Sequence, residues 1–197
     1  MAVASSYSLQ KGLIDLVMRH HEPRHGEVLF GGRNVADLHL HRLRDGIALV
    51  DNSGVLERSI EDNLRAGDAS IDRADIRAML AVVGLDTVVS SLPMGLATTL
   101  GAFGYPLSRS ETIRLKIAGA LLARPQILIV TQVFDSLSHT YRRAIIDYIN
   151  ALPDLTFVNF SNRRDIAAYG DYLFIEPDRH HRFDNIAELL AFERSSN

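Results

Sequence analysis

One stretch of the chain, residues 107–132, constrains the fold more than any other. It reads LSRSETIRLKIAGALLARPQILIVTQ. Glu111 to Ala123 has the pattern of a helix, and Pro125 stops it. Ile127 to Val130 is then apolar at every position, which is typical of a strand buried on both faces of a parallel sheet. A helix that leads into a buried strand predicts an α/β domain.

Short apolar runs alternate with helical patterns along the rest of the chain. We expect strands at 28–30, 47–50, 156–160 and 172–175, and helices at 12–21, 141–152 and 186–192. A further helix is expected to begin at Ser70 or Asp72 and to end at Gly84. Its apolar stripe is Ile76, Met79, Leu80 and Val83. The predicted core consists of Leu13, Val28, Leu49, Ile117, Leu121, Ile127, Leu128, Ile129 and Val158.

Composition narrows the function only a little. The 197 residues suit one domain that spans 1–197, and 47% apolar residues with 23% charged residues are ordinary for a globular protein. A net charge of −3 gives no electrostatic reason to expect nucleic acid. Cysteine is absent, which removes disulfides and thiolate metal ligands. No apolar run approaches the roughly 20 residues needed to cross a bilayer.

Residues 107–132 resemble the centre of an ATP-binding-cassette (ABC) ATPase, where the family reads LSGGQ-x-Q-R-x-x-x-A-R-A-L-x-x-x-P-x-I-L-I-L-D-E. The resemblance to exporter-type members covers nearly the whole chain. Further matching motifs, in order, are Glu27 to Val35, Leu43-Arg44 with Ile47 to Val50, Ser59 to Leu64, and Leu92 to Thr98 followed by Gly101 and Gly104. The resemblance implies a P-loop NTPase-like core, with a mainly parallel sheet flanked by helices and a helical signature subdomain at about 60–122.

The start of the chain departs from that pattern. Family members have antiparallel strands before the phosphate loop and a central strand that leads into it. Here only Met1 to Val3 is available for the central strand. The antiparallel strands are expected to be missing, so the chain is either a shortened or excised domain or completes its sheet differently.

The resemblance places the phosphate loop, G-x-x-G-x-G-K-S-T, on residues 4–12. Its glycine places hold Ala4, Tyr7 and Leu9. Ser8 lies between two of them, Gln10 takes the lysine place, and Lys11 and Gly12 take the hydroxyl places. A shift by one residue puts Lys11 at the lysine place, but no hydroxyl then follows. Such a loop needs successive backbone amides that point into one concavity and a lysine that reaches the phosphates. We therefore do not expect ordinary Mg-ATP binding.

The catalytic places implied by the resemblance are also altered. The aspartate and glutamate at the end of the buried strand are Thr131 and Gln132, and the switch histidine is Asn162. Neither Thr131 nor Gln132 carries the charge that holds magnesium or polarises water. Asn162 can donate a hydrogen bond but does not titrate near neutrality. No intact catalytic residue is expected.

The family's residues are also replaced at the signature and Q-loop places. The signature places hold Ser108, Arg109, Ser110 and Glu111, with side chains at both glycine places. Asp51 and Asn52 lie where the Q-loop glutamine is usual, with Asn52 as its equivalent. Arg109 either supplies positive charge to a nucleotide on a partner subunit or is a solvated side chain at a loop tip. The eight histidines lack the spacing of a metal site, so surface solvation is expected for them and no metal is expected.

We hypothesise that the chain is a degenerate ABC-transporter ATP-binding domain, a pseudoATPase that acts as a structural or regulatory partner of a membrane transporter. Its expected partner is a transmembrane transporter domain or another ABC ATPase subunit, in a homodimer or heterodimer, at the cytoplasmic face of the inner membrane. No cofactor is expected. One alternative is a non-consensus subunit of an asymmetric exporter that keeps weak ATP binding or hydrolysis, with ATP and Mg as ligands. Another is a soluble adaptor that uses the fold to bind proteins.

Overall fold

The computed structural model describes residues 2–4, 6–165 and 169–195, and for residues 2–4 it describes the backbone only. The strands are β1 (Ala2–Ala4), β2 (Leu29–Phe30), β3 (Arg33–Asn34), β4 (Ile47–Val50), β5 (Ile127–Val130), β6 (Thr156–Phe160), β7 (Tyr172–Ile175) and β8 (His180–Phe183). The helices are α1 (Tyr7–Val17), α2 (Leu40–Asp45), α3 (Ile60–Arg65), α4 (Arg73–Val82), α5 (Asp86–Ser91), α6 (Arg109–Leu122), α7 (His139–Asn150) and α8 (Ile186–Ser195).

Six strands form one sheet in the order β4-β5-β6-β1-β7-β8. The first five are paired in parallel, and β8 runs antiparallel to β7. Strands β2 and β3 form a separate hairpin. The predicted α/β fold with a mainly parallel sheet is confirmed. Because the parallel strands share one direction, the segments that follow β1, β4, β5 and β6 all lie at one edge of the sheet, which we call the carboxyl edge.

The strands predicted from apolar runs are confirmed at 47–50, 127–130, 156–160 and 172–175. Strand β1 pairs with both β6 and β7 and so lies inside the sheet, as expected for the central strand. Met1 lies outside the described residues. Strand β8 was not predicted, because three of its four residues are His180, His181 and Arg182 and the apolar signal is absent.

Side chains alternate between the two faces of the sheet, as the period of two in a strand requires. Leu128 and Val130 pack into the larger core, which also contains Ile117 and Leu121 of α6. Ile129 packs into a smaller core on the opposite face. The core prediction is confirmed for the buried residues Ile117, Leu121, Leu128 and Ile129.

The other five predicted core residues are half-buried: Leu13, Val28, Leu49, Ile127 and Val158. All five pack on the smaller core. That face of the sheet is incompletely covered, and a groove of about 1280 Å³ opens over it. Leu13, Ile127 and Val158 line this groove, which accounts for their partial exposure.

Residues 60–122, between β4 and β5, contain helices α3 to α6, and we call them the helical segment. The predicted helix from Asp72 to Gly84 is confirmed as α4. The Asp72 side chain caps it by accepting a hydrogen bond from the Asp75 amide at 2.7 Å. Gly84 follows the helix at a φ of +66°, a conformation that favours glycine.

The C-terminal helix α8 packs on β7 and β8 through aromatic rings. Phe192 contacts Phe174, Phe183 and His181, and the ring centres of His181 and Phe192 are 4.4 Å apart. The expectation that every histidine is solvated on the surface is therefore wrong for His181. This side chain lies in an aromatic cluster, because β8 directs its alternate residues toward α8.

Candidate functional site

The later residues of the phosphate-loop place, from Tyr7 to Gly12, belong to a helix. Helix α1 begins at Tyr7, immediately after Ser6, whose side chain accepts a hydrogen bond from the Leu9 amide at 3.4 Å. The Gln10 amide donates to the Ser6 carbonyl at 3.0 Å, as in any first helical turn. The helix predicted at 12–21 is thus wrong at both ends, since α1 spans Tyr7–Val17. Ser8 to Gly12 are helical rather than part of an open loop.

Gln10 and Lys11, which are neighbours in this helical turn, differ in exposure. Gln10, at the lysine place, is only 3% exposed. Lys11 extends to the surface, where its Nζ donates to Asp15 Oδ2 at 2.6 Å within the same helix. That hydrogen bond raises the pKa of Lys11 and lowers that of Asp15. An added Cβ at Gly12 would meet no atom within 4 Å, so packing does not require glycine there.

Thr131 and Gln132 follow β5 at the carboxyl edge. The Thr131 amide donates to the Val50 carbonyl at 2.9 Å, which extends the pairing of β5 with β4 by one residue. Gln132 begins a short 3-10 helix that ends at Ser136, and both Thr131 and Gln132 are half-buried. The first carboxylate after the strand belongs to Asp135, within that 3-10 helix.

Asp135 is bound to the segment that follows β6. Its Oδ1 accepts a hydrogen bond from Ser161 Oγ at 2.6 Å, and its Oδ2 accepts from the Asn162 amide at 2.8 Å. Asn162, at the switch-histidine place, is therefore held through its backbone, and its side chain is exposed to solvent. The structure brings Asn162 close to the residues after β5, as parallel neighbouring strands require.

An ion pair also holds the same segment. Arg142 of α7 is 2% exposed and donates through both terminal nitrogens to the carboxylate of Asp165, with Nη1 at 2.9 Å from Oδ1. Arg163 adds a bond to Asp165 at 3.1 Å. Hydrogen bonds from Arg142 hold the pKa of Asp165 well below its usual value. Arg142 and Asp165 were not predicted as site residues, because nothing local in the sequence links residues 23 positions apart.

A buried polar pair lies beneath this segment. Asn159 in β6 is 2% exposed, and its Nδ2 donates to the Tyr169 hydroxyl at 2.7 Å. Burial raises the pKa of Tyr169. Asn159 Oδ1 is buried and has no hydrogen-bond partner among the residues that the structure describes. The sequence signal is a polar residue between the apolar residues Val158 and Phe160 of a strand.

Helix α6 begins at the signature place with a closed hydrogen-bond arrangement. Ser108 caps the helix by accepting from the Glu111 amide at 3.3 Å, and the Ser108 amide donates to Glu111 Oε2 at 2.7 Å. This is a capping box, which satisfies backbone amides at the helix start. A carboxylate therefore lies beside the end of the helix where the partial positive charge is concentrated. Ser110 is half-buried in the first turn.

A hydrogen bond joins the side chains of Arg109 and Asn52. Arg109 Nη2 donates to Asn52 Oδ1 at 3.1 Å, although the two residues are 57 positions apart. Arg109 is exposed, as the solvated interpretation expects, but it belongs to the first turn of α6 rather than to a loop tip. The alternative that it supplies charge to a nucleotide on a partner subunit stays a prediction. The structure thus joins one residue of the signature place to the Q-loop place.

Lys116, two turns further along α6, binds the same loop. Its Nζ donates to the carbonyl oxygens of Asp51 and Ser53 at 2.7 and 2.8 Å and to Ser53 Oγ at 3.1 Å. Asp51 Oδ1 lies 3.4 Å away. Burial lowers the pKa of Lys116, against the opposing effect of Asp51. Lys116 was not predicted as a site residue, since a lysine inside a helical pattern carries no signal of its own.

The residues at these places differ in charge from the groups that bind Mg-ATP in ABC ATPases. Magnesium in nucleotide sites is bound by carboxylate or hydroxyl oxygens together with the phosphates, and triphosphate needs a lysine and free backbone amides. Gln132 is neutral, Lys11 is paired on the surface, and Glu111 sits at the start of α6. Within residues 2–4, 6–165 and 169–195, no group of three histidine, aspartate or glutamate residues is arranged to hold a metal ion.

Comparisons with known proteins show which family the chain belongs to. No protein-family model matches it. It is 30% identical over 199 residues to ABC transporter B family member 6 of Arabidopsis thaliana, an alignment that covers 96% of this chain and 14% of that protein. It is also 30% identical over 192 residues to the mycobactin import ATP-binding/permease protein IrtB of Mycolicibacterium thermoresistibile, covering 96% of this chain and 33% of that protein. The chain is an exporter-like ABC domain.

Other relatives agree with this assignment. The heterocyst differentiation ATP-binding protein HepA of Nostoc sp. is 29% identical over 191 residues, with coverage of 95% of this ABC domain and 32% of that protein. The structure of a bacterial Atm1-family ABC exporter with ATP bound superposes with a TM-score of 0.87 at 24% identity, over 98% of this chain and 34% of that one. The ABC domain therefore spans between 14% and 34% of the length of these relatives. Among its described helices, none is long and apolar enough to cross a membrane.

Proposed function

We propose that this exporter-like ABC domain is a pseudoATPase, which binds and hydrolyses ATP weakly or not at all. The observation that carries the proposal is the helix at the phosphate-loop place. Helix α1 begins at Tyr7, and Gln10 is buried within its first turns. The amides from Gln10 onward bond within the helix, so they are not available to form the concavity that holds phosphate.

Charge supports the same proposal. A hydrogen bond to a charged group contributes roughly 1.5–3 kcal/mol, and about 1.4 kcal/mol corresponds to a tenfold change in affinity. Loss of the lysine contact and of one carboxylate-held magnesium contact therefore lowers affinity by a factor on the order of 10² to 10⁴. The Glu111 carboxylate at the start of α6 would in addition repel a phosphate on a partner subunit.

We further propose that the domain serves as a structural or regulatory partner of a membrane transporter at the cytoplasmic face of the membrane. The names of IrtB and ABC transporter B family member 6 refer to import and transport, and the chain aligns with a third or less of either protein. The partner is a transmembrane transporter domain or another ABC ATPase subunit, in a homodimer or heterodimer. The two hydrophobic cores of the domain contain none of the altered polar residues. The fold can therefore be kept as a binding surface for a partner when catalysis is lost.

Phosphate release from ATP tests the loss of turnover. We expect the purified chain to show no release above background with magnesium present, whereas an exporter ATP-binding domain with intact motifs, assayed in parallel, turns over. The variant Gln132→Glu should also stay inactive, because it restores one carboxylate while the phosphate-loop place remains helical. Turnover by either form would contradict the proposal. Co-purification with a permease, identified by mass spectrometry, tests the transporter partner, and recovery with soluble proteins alone would contradict it.

A further inference from the structure

The connection from β4 to α3, residues 51–59, crosses from the sheet to the helical segment. It is attached to helices at both of its ends. Lys116 and Arg109 of α6 bind residues 51–53, and the Asn63 side chain of α3 binds residues 56–59. The Asn63 Oδ1 accepts from the Leu56 amide at 2.9 Å, and its Nδ2 donates to the Leu56 carbonyl at 2.9 Å.

Residues of this connection accept hydrogen bonds from all three hydrogens of the Lys116 ammonium. An ammonium has three hydrogens to donate. Three oxygen atoms of Asp51 and Ser53 lie within 3.1 Å of Nζ, so each hydrogen has an acceptor. The Lys116 side chain is 14% exposed, which limits the competition from water. Two of the acceptors are backbone carbonyls, and both can face one nitrogen only when the backbone of residues 51–53 curls around it.

The connection also contributes to its own shape. Asp51 Oδ1 accepts a hydrogen bond from the Ser53 amide at 2.9 Å. Burial opposes the charge on Asp51, yet the bonds from Ser53 and the nearby Lys116 hold its pKa below the usual value. Arg109 adds a contact with Asn52 at 3.1 Å. Because Arg109 and Asn52 are exposed, that contact is weak, and Lys116 is the dominant group.

Lys116 and Arg109 lie seven positions apart, which places them on the same face of α6. We infer that these two cations form a clamp on residues 51–53, which holds the helical segment in one fixed orientation relative to the sheet without any bound nucleotide. The clamp is a conformational device internal to this chain. The clamp does not rest on the proposed loss of ATP binding, because each of its contacts joins two residues of this chain.

Hydrogen exchange of the intact chain, measured by mass spectrometry without nucleotide, tests the clamp. The variant Lys116→Met keeps the aliphatic stem and removes the donors. We expect exchange of the amides of residues 51–56 to become at least tenfold faster, while the amides of β5 keep their protection. The matched control Lys11→Met also removes a lysine paired with an aspartate, but that lysine is 64% exposed and lies on α1. It should leave exchange at residues 51–56 unchanged.

A distance measurement tests the fixed orientation. The chain contains no cysteine, so spin labels at Arg77→Cys on α4 and His180→Cys on β8 are the only ones introduced. We expect one narrow distance distribution in the otherwise natural chain and a broader one after Lys116→Met. Unchanged exchange at residues 51–56 and an unchanged distribution in a folded Lys116→Met variant would overturn the inference. If Lys116→Met does not fold, the double variant Asn52→Ala/Ser53→Ala is measured instead. The inference then requires that amide exchange at residues 54–56 become at least twofold faster, and a smaller change would overturn it.

Discussion

The guanidinium carbon of Arg114 lies 3.9 Å from the centre of the Tyr141 ring, so a buried cation of α6 packs on the aromatic face of a residue in α7. Arg114 Nη1 also donates to the carbonyl oxygens of Val83 and Gly84 at 3.0 and 2.5 Å. In the part of the chain that the structure describes, no carboxylate forms an ion pair with Arg114. One side chain therefore joins the end of α4 to α6 and α7.

Replacing Arg114 should destabilise the domain without unfolding the sheet. Arg114→Met leaves two carbonyls without their donor and removes the cation–π contact, and we expect a loss of about 2–3 kcal/mol in the free energy of unfolding. Urea denaturation followed by circular dichroism measures it. Arg77→Met, an exposed change on α4, is the matched control and should alter stability by less than about 0.5 kcal/mol. Equal effects of the two variants would show that the Arg114 contacts do not stabilise the domain.

The pair of Arg142 and Asp165 predicts a dependence of stability on pH. The pKa of Asp165 is lower in the folded chain than in the unfolded chain, so its contribution is fully present above the unfolded pKa, about 3.9, and is lost as the pH falls through the folded pKa. We expect Asp165→Asn to reduce stability at pH 7 by about 1 kcal/mol, a value kept small because a third of the Asp165 side chain is exposed. The difference from the natural chain should shrink below about pH 4.

Thermal unfolding of both forms between pH 3 and pH 7 measures this dependence. Asp147→Asn breaks an exposed pair with Arg143 on the same helix α7 and is the control. It should change the melting temperature little at any pH. A constant difference between Asp165→Asn and the natural chain across the whole range would mean that the carboxylate of Asp165 does not stabilise the fold through its charge.

Restoring a lysine at the lysine place should not restore ATP binding. Gln10 is 3% exposed, so Gln10→Lys introduces an ammonium into a buried position, and we expect a loss of about 2–3 kcal/mol in stability. The neighbouring exposed change Lys11→Gln should be nearly neutral. Melting temperature and nucleotide titration of both variants measure the outcome. Micromolar ATP affinity in a stable Gln10→Lys variant would refute the helical interpretation of this turn.

Much of the fold was predictable because the signals were local. Ile127 to Val130 is a continuous apolar run and is confirmed as β5, buried between β4 and β6. Strand β8 escaped prediction because an edge strand can be polar, and its pairing partner β7 sets its conformation instead. The start of α1 was not predicted, because the resemblance assigned a phosphate loop to residues 4–12. Ser6 is nevertheless an ordinary helix cap.

The candidate site was less predictable, since its contacts join residues far apart in the sequence. The identities of Thr131, Gln132 and Asn162 were visible, but the bond between Asn162 and Asp135 depends on the adjacency of β5 and β6. Lys116 and Asp51 are separated by 65 positions and meet only because α6 packs against the end of β4. Sequence patterns identify the altered places, whereas the groups that bind them come from tertiary packing.

Titration of Mg-ATP into the purified chain, followed by calorimetry, tests the central claim most directly. The account predicts no saturable heat with ATP up to about 1 mM, a range that covers binding free energies stronger than roughly −4 kcal/mol. Saturable binding with a dissociation constant in the micromolar range would contradict it.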